Sequence, residues 1–262
     1  MPRFFVPASD IADSQATLRG TEFRHLQRVL RLREGDHVTL FDDAGREHAG
    51  VIRSLSPRVA VVRITASMAP ARESPLAITL YQAIPKGRKM DLVIEKATEL
   101  GVHAVVPFLS AFCMGTTAGA TGKHERWQRI ALAAAKQSGR TSVPRIATPG
   151  TFTEAIASAA HDDLRLLFFE GAGTSPLAAV PDPSSTPPPV RSATAAVVIG
   201  PEGGFSRDEV AAARDAGFLI LGIGPRILRT ETAALVAVTL VQARWGDLGR
   251  SAPAQPCESE PG

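Results

Sequence analysis

From Leu76 to Trp245, short apolar runs alternate with stretches of helical periodicity, and this alternation limits the chain to an α/β architecture built on a largely parallel sheet. Leu76–Ala83, Val102–Phe108, Leu164–Phe169, Ala195–Ile199 and Phe218–Ile223 are short enough, and apolar enough, to be strands buried on both faces. Between them, Met90, Val93, Ile94, Ala97 and Leu100 recur at helical spacing, and Gly101 suits the left-handed turn that ends such a helix. Trp127, Ile130, Ala131 and Ala134 make another helical face, closed by Gly139. Ser206-Arg207-Asp208-Glu209 has the form of a capping box, opening a helix that stops at Gly217. A last helix is expected from about Glu231 to Trp245, with Thr230 as its cap.

The first 73 residues read differently, as a small and mostly β unit. Phe4-Phe5-Val6, His37–Phe41, Ala49–Ile52 and Val59–Ile64 are strand candidates, with a turn at Asp42-Asp43-Ala44-Gly45. Thr21 is placed to cap a helix whose face is Phe23, Leu26, Val29 and Leu30. Glu73-Ser74-Pro75 marks the boundary, giving units 1–73 and 74–248. Thr174–Ser192, rich in Pro and Ser, reads as a surface loop inserted between strands, and 249–262 as a frayed tail.

Residue usage narrows the setting. The start, Met1-Pro2-Arg3-Phe4-Phe5-Val6-Pro7, lacks the apolar core of a secretory signal, and the apolar stretch near Ala233–Val241 is too short to span a bilayer. Cys113 and Cys257 cannot build a disulfide framework, so a reduced, cytoplasmic protein is expected. The six histidines lack ligand spacing, and no metal site is expected. A net charge of +3 says little, but the cations cluster. Lys123, Arg126, Arg129, Lys136, Arg140 and Arg145 face only one acid, Glu125, between Thr121 and Arg145. Arg24, Arg28, Arg31 and Arg33 form a second cluster, and Lys86, Arg88 and Lys89 a third. A single cluster reads equally well as a solvated helix face; three together favour a polyanion such as RNA.

Two segments carry chemistry. Ile199-Gly200-Pro201-Glu202-Gly203-Gly204-Phe205 follows a strand and leads into the Ser206 cap, at the carboxyl edge where open α/β sheets bind ligands. It has neither the Lys-Ser/Thr of a phosphate-binding P-loop nor a dinucleotide fingerprint. Leu221-Gly222-Ile223-Gly224-Pro225-Arg226-Ile227-Leu228-Arg229-Thr230-Glu231 sets two arginines beside a helix start. The helix dipole accounts for Glu231 there but disfavours the arginines, which make better sense facing an anion.

With these segments on view, the chain resembles the RsmE family of bacterial 16S rRNA uridine-N3 methyltransferases, in the SPOUT superfamily. The resemblance runs in order through His25–Asp36, Lys86–Gly101, Arg126–Arg140, Ile199–Phe205 and Gly224–Ala233. It implies a PUA-like β-barrel over residues 1–73 and a SPOUT-type parallel sheet with a C-terminal trefoil knot. It also implies S-adenosylmethionine held by Phe169-Glu170, by Ile199 to Gly204 (Gly200, Pro201, Glu202 and Gly203 between them), and by Leu221, Ile223, Gly224, Ile227, Leu228 and Thr230. A homodimer whose site is completed across the interface is expected, acting on a uridine in the decoding region of 16S rRNA within the small subunit. Two departures stand out: Phe112 occupies a position where many members carry an arginine, and the 174–192 insertion is long.

Uridine N3 is protonated at neutral pH, so methylation there requires help with ionisation. Arg226 or Arg229 is expected to stabilise the resulting anion, and Glu231 or a bound water to accept the proton. The basic residues Arg24, Arg28, Arg31, Lys86, Arg88, Lys89, Lys123, Arg126, Arg129, Lys136 and Arg140 are expected to hold RNA phosphates. Two other classes compete. An RNA-binding assembly factor without catalysis would not need intact glycine loops. A nicotinamide-dependent oxidoreductase would need fingerprint glycines that are missing.

Overall fold

In this computed structural model, which describes residues 1–69, 73–114, 122–182 and 193–249, the N-terminal strands form one sheet. They are β1 (Arg3–Phe5), β2 (Ile11–Ala12), β3 (Gln15–Arg19), β4 (His37–Phe41), β5 (Glu47–Leu55) and β6 (Val59–Met68), in the spatial order β1-β4-β5-β6-β3-β2. Alternate residues enter a single core: Val38 and Leu40, Ala60 and Val62, with Phe4, Leu18 and Ile52. The β5–β6 register shifts twice, and beside the first shift a Cβ on Gly50 would lie 2.5 Å from Val62 Cγ1, so this close strand approach requires glycine.

The helical face expected at 21–30 is only half realised. α1 (Gly20–Arg24) begins one residue before Thr21, and Arg19 occupies the cap without a side-chain bond. The chain then widens into a π-type turn over His25–Val29. Such a turn adds a residue to the ordinary helical repeat and rotates the next side chains off the buried face. Phe23 and Leu26 are therefore buried, whereas Val29 is 68% exposed and Leu30 39%. Arg31 leaves the turn at φ 52°, a left-handed conformation that a side chain rarely adopts.

The second sheet contains β7 (Leu76–Ala83), β8 (Ala104–Leu109), β9 (Arg145–Ile146), β10 (Gly150–Thr151), β11 (Leu164–Phe168), β12 (Ser175–Pro176), β13 (Ala193–Ile199) and β14 (Leu219–Gly222). All its pairings are parallel, in the order β10-β8-β7-β13-β11-β14-β12, with β9 also on β8. The helices α2 (Lys89–Glu99), α3 (His124–Ser138) and α6 (Thr230–Trp245) share one core with Leu76, Ile78, Leu166, Val197 and Ile199. The helices α4 (Phe152–Ser158) and α5 (Arg207–Asp215) share the other with Tyr81, Leu167, Ala196 and Val198. Burial on both faces explains why these strands read as mostly apolar runs. Gly101, Gly139 and Gly217 all end helices at positive φ, and Ser206 and Glu209 form the expected reciprocal cap. No helix among the described residues is long and apolar enough to cross a membrane.

Two expectations about the C-terminal half change. The insertion is not a loop throughout: Ser175–Pro176 adds an edge strand to β14, Val180 is buried, and Arg244 donates to the carbonyls of Leu177 and Val180. Residues 183–192 and 250–262, where the rest of the insertion and nearly all of the expected tail fall, lie outside the described residues. Thr230 does not cap α6 but is its first residue, and its hydroxyl is used elsewhere.

Two basic residues expected to hold RNA are structural. Arg140 is 5% exposed and donates to Glu73 at 2.6 and 3.1 Å and to the carbonyls of Thr98 and Val102. Lys136 pairs with Glu22 of α1 at 2.8 Å and lies over the Phe4 ring, while Arg3 reaches the Ala135 carbonyl, so α3 is joined to the first sheet. Their charge is spent inside the molecule, which is why a count of cations along the sequence misplaces them. Arg140→Met should lower the unfolding free energy by about 3 kcal/mol, the lower end for breaking a buried pair because Glu73 is partly exposed. Urea titration reads the loss. A change no larger than the ~1 kcal/mol of a surface pair, together with weaker RNA binding, would return Arg140 to the RNA surface.

Candidate active site

β13, β11 and β14 are neighbours in a parallel sheet, so the loops that leave their carboxyl ends emerge side by side. These loops and the start of α6 enclose a cleft of about 230 Å³. Its walls are Phe168, Phe169 and Glu170 after β11, then Ile199, Gly200, Pro201, Glu202, Gly204 and Phe205 after β13, and Ile227, Leu228, Arg229, Thr230 and Ala233 around the α6 start. A recess of about 40 Å³ shares Phe168, Phe169, Glu170, Leu228 and Ala233 and adds Ile223, Gly224 and Arg226.

Backbone shape explains the glycines. Gly204 has φ 70°, and a Cβ there would come 3.2 Å from a Glu170 carboxylate oxygen. A Cβ on Gly200 would press at 3.2–3.3 Å on the Phe205 ring and the Gly204 carbonyl carbon. Behind the cleft, Thr230 Oγ1 donates to the Gly200 carbonyl at 2.5 Å and accepts from Gln82 Nε2 at 3.0 Å. Gln82 and Thr230 are both buried. This bonded chain ties the interior strand β7, the glycine loop and the first turn of α6 at one point. The Phe169 N–H in turn donates to the Leu221 carbonyl at 2.8 Å, holding the β11 loop to β14.

Charge at the rim is paired. Glu202 accepts from Lys89 Nζ at 2.8 Å and from the Lys86 N–H at 3.2 Å. Burial pushes the Glu202 carboxyl up, but bonds from Lys89 and the backbone N–H groups of Glu202 and Lys86, with the Lys89 charge, outweigh it and hold Glu202 below the usual carboxylate range. Lys89 is raised in return, chiefly by its bond to Glu202. A depressed carboxylate stabilises the fold above its unfolded pKa, and this contribution disappears as pH falls through its folded value. Lys89 Nζ also lies 3.5 Å from Glu231 Oε2, a buried oxygen without a hydrogen bond among the described residues.

The loop segments singled out in the sequence thus meet. Leu221 contributes only its carbonyl, its side chain being buried in the core, and Gly203 lies just outside the cleft against Phe112. Arg226 and Arg229 line different spaces, the recess and the main cleft. Phe168, Phe205, Ala233 and Gln82 join the site without having been expected there from the sequence. For Gln82 a signal exists, since it is an amide in the apolar run Leu76–Ala83. Of the basic candidates, Arg24, Arg28, Arg31, Lys86, Arg88, Lys123 and Arg129 are exposed. Lys89 is instead engaged with Glu202 and Glu231, and Arg126 is held bidentately by Asp91 at 2.6–3.1 Å. Arg88, Lys123 and Arg126 border a hollow of about 170 Å³ beside Trp127.

Known proteins resemble this chain in sequence and overall fold. Residues 72–242, well over half of the chain, match the RNA methyltransferase domain family, and residues 18–65 match the RNA methyltransferase PUA domain family. Ribosomal RNA small subunit methyltransferase E of Bacillus subtilis is 31% identical over 250 residues, covering 92% of this chain and 96% of its own. The Synechocystis protein of that name is 34% identical over 242 residues, covering 92% and 77%. The crystal structure of the Neisseria gonorrhoeae protein of that name, bound to S-adenosyl methionine, is 34% identical with a TM-score of 0.82, covering 95% of this chain and 99% of the other. A methyltransferase from Legionella pneumophila, in complex with the same cofactor, is 33% identical with a TM-score of 0.82, covering 94% and 98%. The fold is therefore that of the SPOUT methyltransferases, a parallel sheet preceded by a PUA-like sheet. The chain belongs to the ribosomal RNA small subunit methyltransferase E family.

Thr230→Val should leave the buried Gly200 carbonyl without its partner, costing about 1–3 kcal/mol of stability. Thr230→Ser should recover most of it. Denaturant titration of the three proteins is the check; a Val variant as stable as wild type beside a destabilised Ser variant would show that the methyl group, not the hydroxyl, matters.

Proposed function

We propose that this protein methylates ribosomal RNA with S-adenosylmethionine as donor, and that its target is N3 of a uridine in the 16S rRNA decoding region within the small ribosomal subunit. The observation that carries this reading is the meeting of three glycine-bearing loops in one cleft at the carboxyl edge of the sheet. Relatives of the same overall fold are described as bound to this donor.

The cleft suits such a ligand. Phe168, Ile199, Phe205 and Leu228 supply apolar surface for a purine ring, and glycines leave backbone polar groups approachable. When bound, S-adenosylmethionine supplies a methyl group made electrophilic by its sulfonium sulfur. The chain must then orient N3 and hold the base as an anion, because the N3 lone pair is unavailable until its proton leaves. Arg229, at the cleft, and Arg226, at the recess, are the cations placed to stabilise that anion. Glu231, whose buried Oε2 lies 3.5 Å from Lys89 Nζ, would accept the proton only once that ion pair opens. Positioning of the two reactants supplies most of the rate gain.

The remaining assignments belong to the same reading. The division falls at residues 73 and 74, the trefoil knot lies in the C-terminal unit, and the protein works as a cytoplasmic homodimer. Leu240, exposed on α6, and Leu235 and Val236, half-buried there, support a subunit contact along this helix. Arg24, Arg28, Arg31, Lys86, Arg88, Lys123 and Arg129 hold phosphates.

S-adenosylmethionine at 100 times its dissociation constant should stabilise the protein by about 2.7 kcal/mol, seen as a rise in Tm, while nicotinamide dinucleotides should not. Calorimetry showing no donor binding would sink the assignment. For whichever arginine acts in the transition state, substitution by Ala should slow single turnover about 100- to 1000-fold at saturating reactants, with both affinities retained. Arg226→Ala, Arg229→Ala and Glu231→Gln all turning over normally while folded would place catalysis elsewhere. Each phosphate contact removed from the exposed clusters should flatten the salt dependence of RNA binding by about 0.7–0.9 in log–log slope. An unaltered slope would make those clusters plain solvated surface.

A further inference from the structure

Phe112 is the one phenylalanine left exposed among the described residues, at 51%, and it stands beside the cleft. A Cβ built on Gly203 would lie 2.8 Å from Phe112 Cβ and 3.3 Å from its Cγ. Gly203 therefore admits this side chain against the loop whose other members, Glu202 and Gly204, line the cleft.

The ring is also held in place. The Ala111 N–H donates to Glu209 at 2.8 Å, and the other Glu209 oxygen accepts from the Ser206 N–H at 2.8 Å. Cys113 Sγ meets the Ile84 carbonyl at 3.4 Å, and the Cys113 N–H meets the Ser110 carbonyl at 3.0 Å. One carboxylate thus caps α5, which comes after the glycine loop, and fixes the turn that carries Phe112. The open side of this fixed ring is free to receive a flat, apolar face. The surroundings say which: Glu202, adjacent to Gly203, is held by Lys86 and Lys89, and the side chains of Lys86 and Arg88 are exposed beside it.

We propose that Phe112 is a stacking platform for a nucleobase flanking the methylated one in the RNA strand. This rests on the reading of the substrate as RNA. The ring lies outside the cleft, one residue from its wall, so it receives a neighbour of the reacting base rather than that base itself. A base drawn out for chemistry loses its stacking partners, and the strand beside it needs new ones. Aromatic stacking of this kind is tolerant of sequence.

The test is equilibrium binding of small ribosomal subunits, without methyl donor, to wild type and to F112A, F112L and F112W. F112A should weaken binding about 5- to 150-fold, the range that loss of one stacked base produces, and F112W should bind as wild type does. F112L should bind nearly as poorly as F112A, because it keeps apolar bulk without a π face. The salt slope and the affinity for S-adenosylmethionine should not move. Emission from F112W should be quenched by subunits beyond any change that Trp127 and Trp245 give in wild type. Equal binding by all four proteins, or by F112L and wild type, overturns the platform. So does dissociation of F112A and F112L into monomers in sedimentation, which would make the ring a contact with a second copy. Wild type that binds no methyl donor yet loses RNA on F112A would sink the donor assignment and keep the platform.

Discussion

The chain Gln82–Thr230–Gly200 is the point on which the cleft depends. Parallel strands deliver loops to one edge of a sheet but do not fix how those loops lie against each other. Here a hydroxyl on the first turn of α6 accepts a hydrogen bond from an amide on β7 and donates one to the glycine loop. All three groups are buried, so none can exchange its partner for water. The loop after β13, the loop after β14 and the last helix are thereby set relative to the interior of the sheet. Phe205, Leu228 and Ala233 then close around that fixed point.

Around the cleft, charge is divided between groups that are neutralised and groups that are not. Lys89, Arg126, Lys136 and Arg140 each have a carboxylate partner. Arg24, Arg28, Arg31, Lys86, Arg88, Lys123 and Arg129 remain exposed. The first set holds elements to one another, and only the second is available to a polyanion. The same residue types serve both ends, and partner geometry decides which.

Much of this is legible in the sequence, for identifiable reasons. Burial on two faces writes a strand as a mostly apolar run, so Leu76–Ala83 is found at its observed bounds. Local rules also find the Ser206–Glu209 cap and the glycines at 101, 139 and 217, because the backbone alone demands them. The features that escape depend on distant partners or on irregular backbone. The widened turn at His25–Val29 leaves no periodic signature, so Val29 reads as buried when it is not. Thr230 looks like a cap because its true acceptor, Gly200, is thirty positions away. Arg140 and Lys136 look like RNA contacts because Glu73 and Glu22 are far off in the chain. The cleft residues are readable from two motifs; Phe168, Phe205 and Ala233, which are ordinary apolar residues, become site residues only through packing.

The bonds from Glu22 to Lys136 and from Arg3 to Ala135 fasten the first sheet to α3, and α3 packs on the same core as α6. These contacts tie the two halves of the molecule together at α3. On the proposed reading, RNA held by Arg24 and Arg28 on one half would reach the cleft on the other across the span that these contacts set. Target selection would then depend on the distance from a docking feature of folded RNA, with no need for either half to read the letters between.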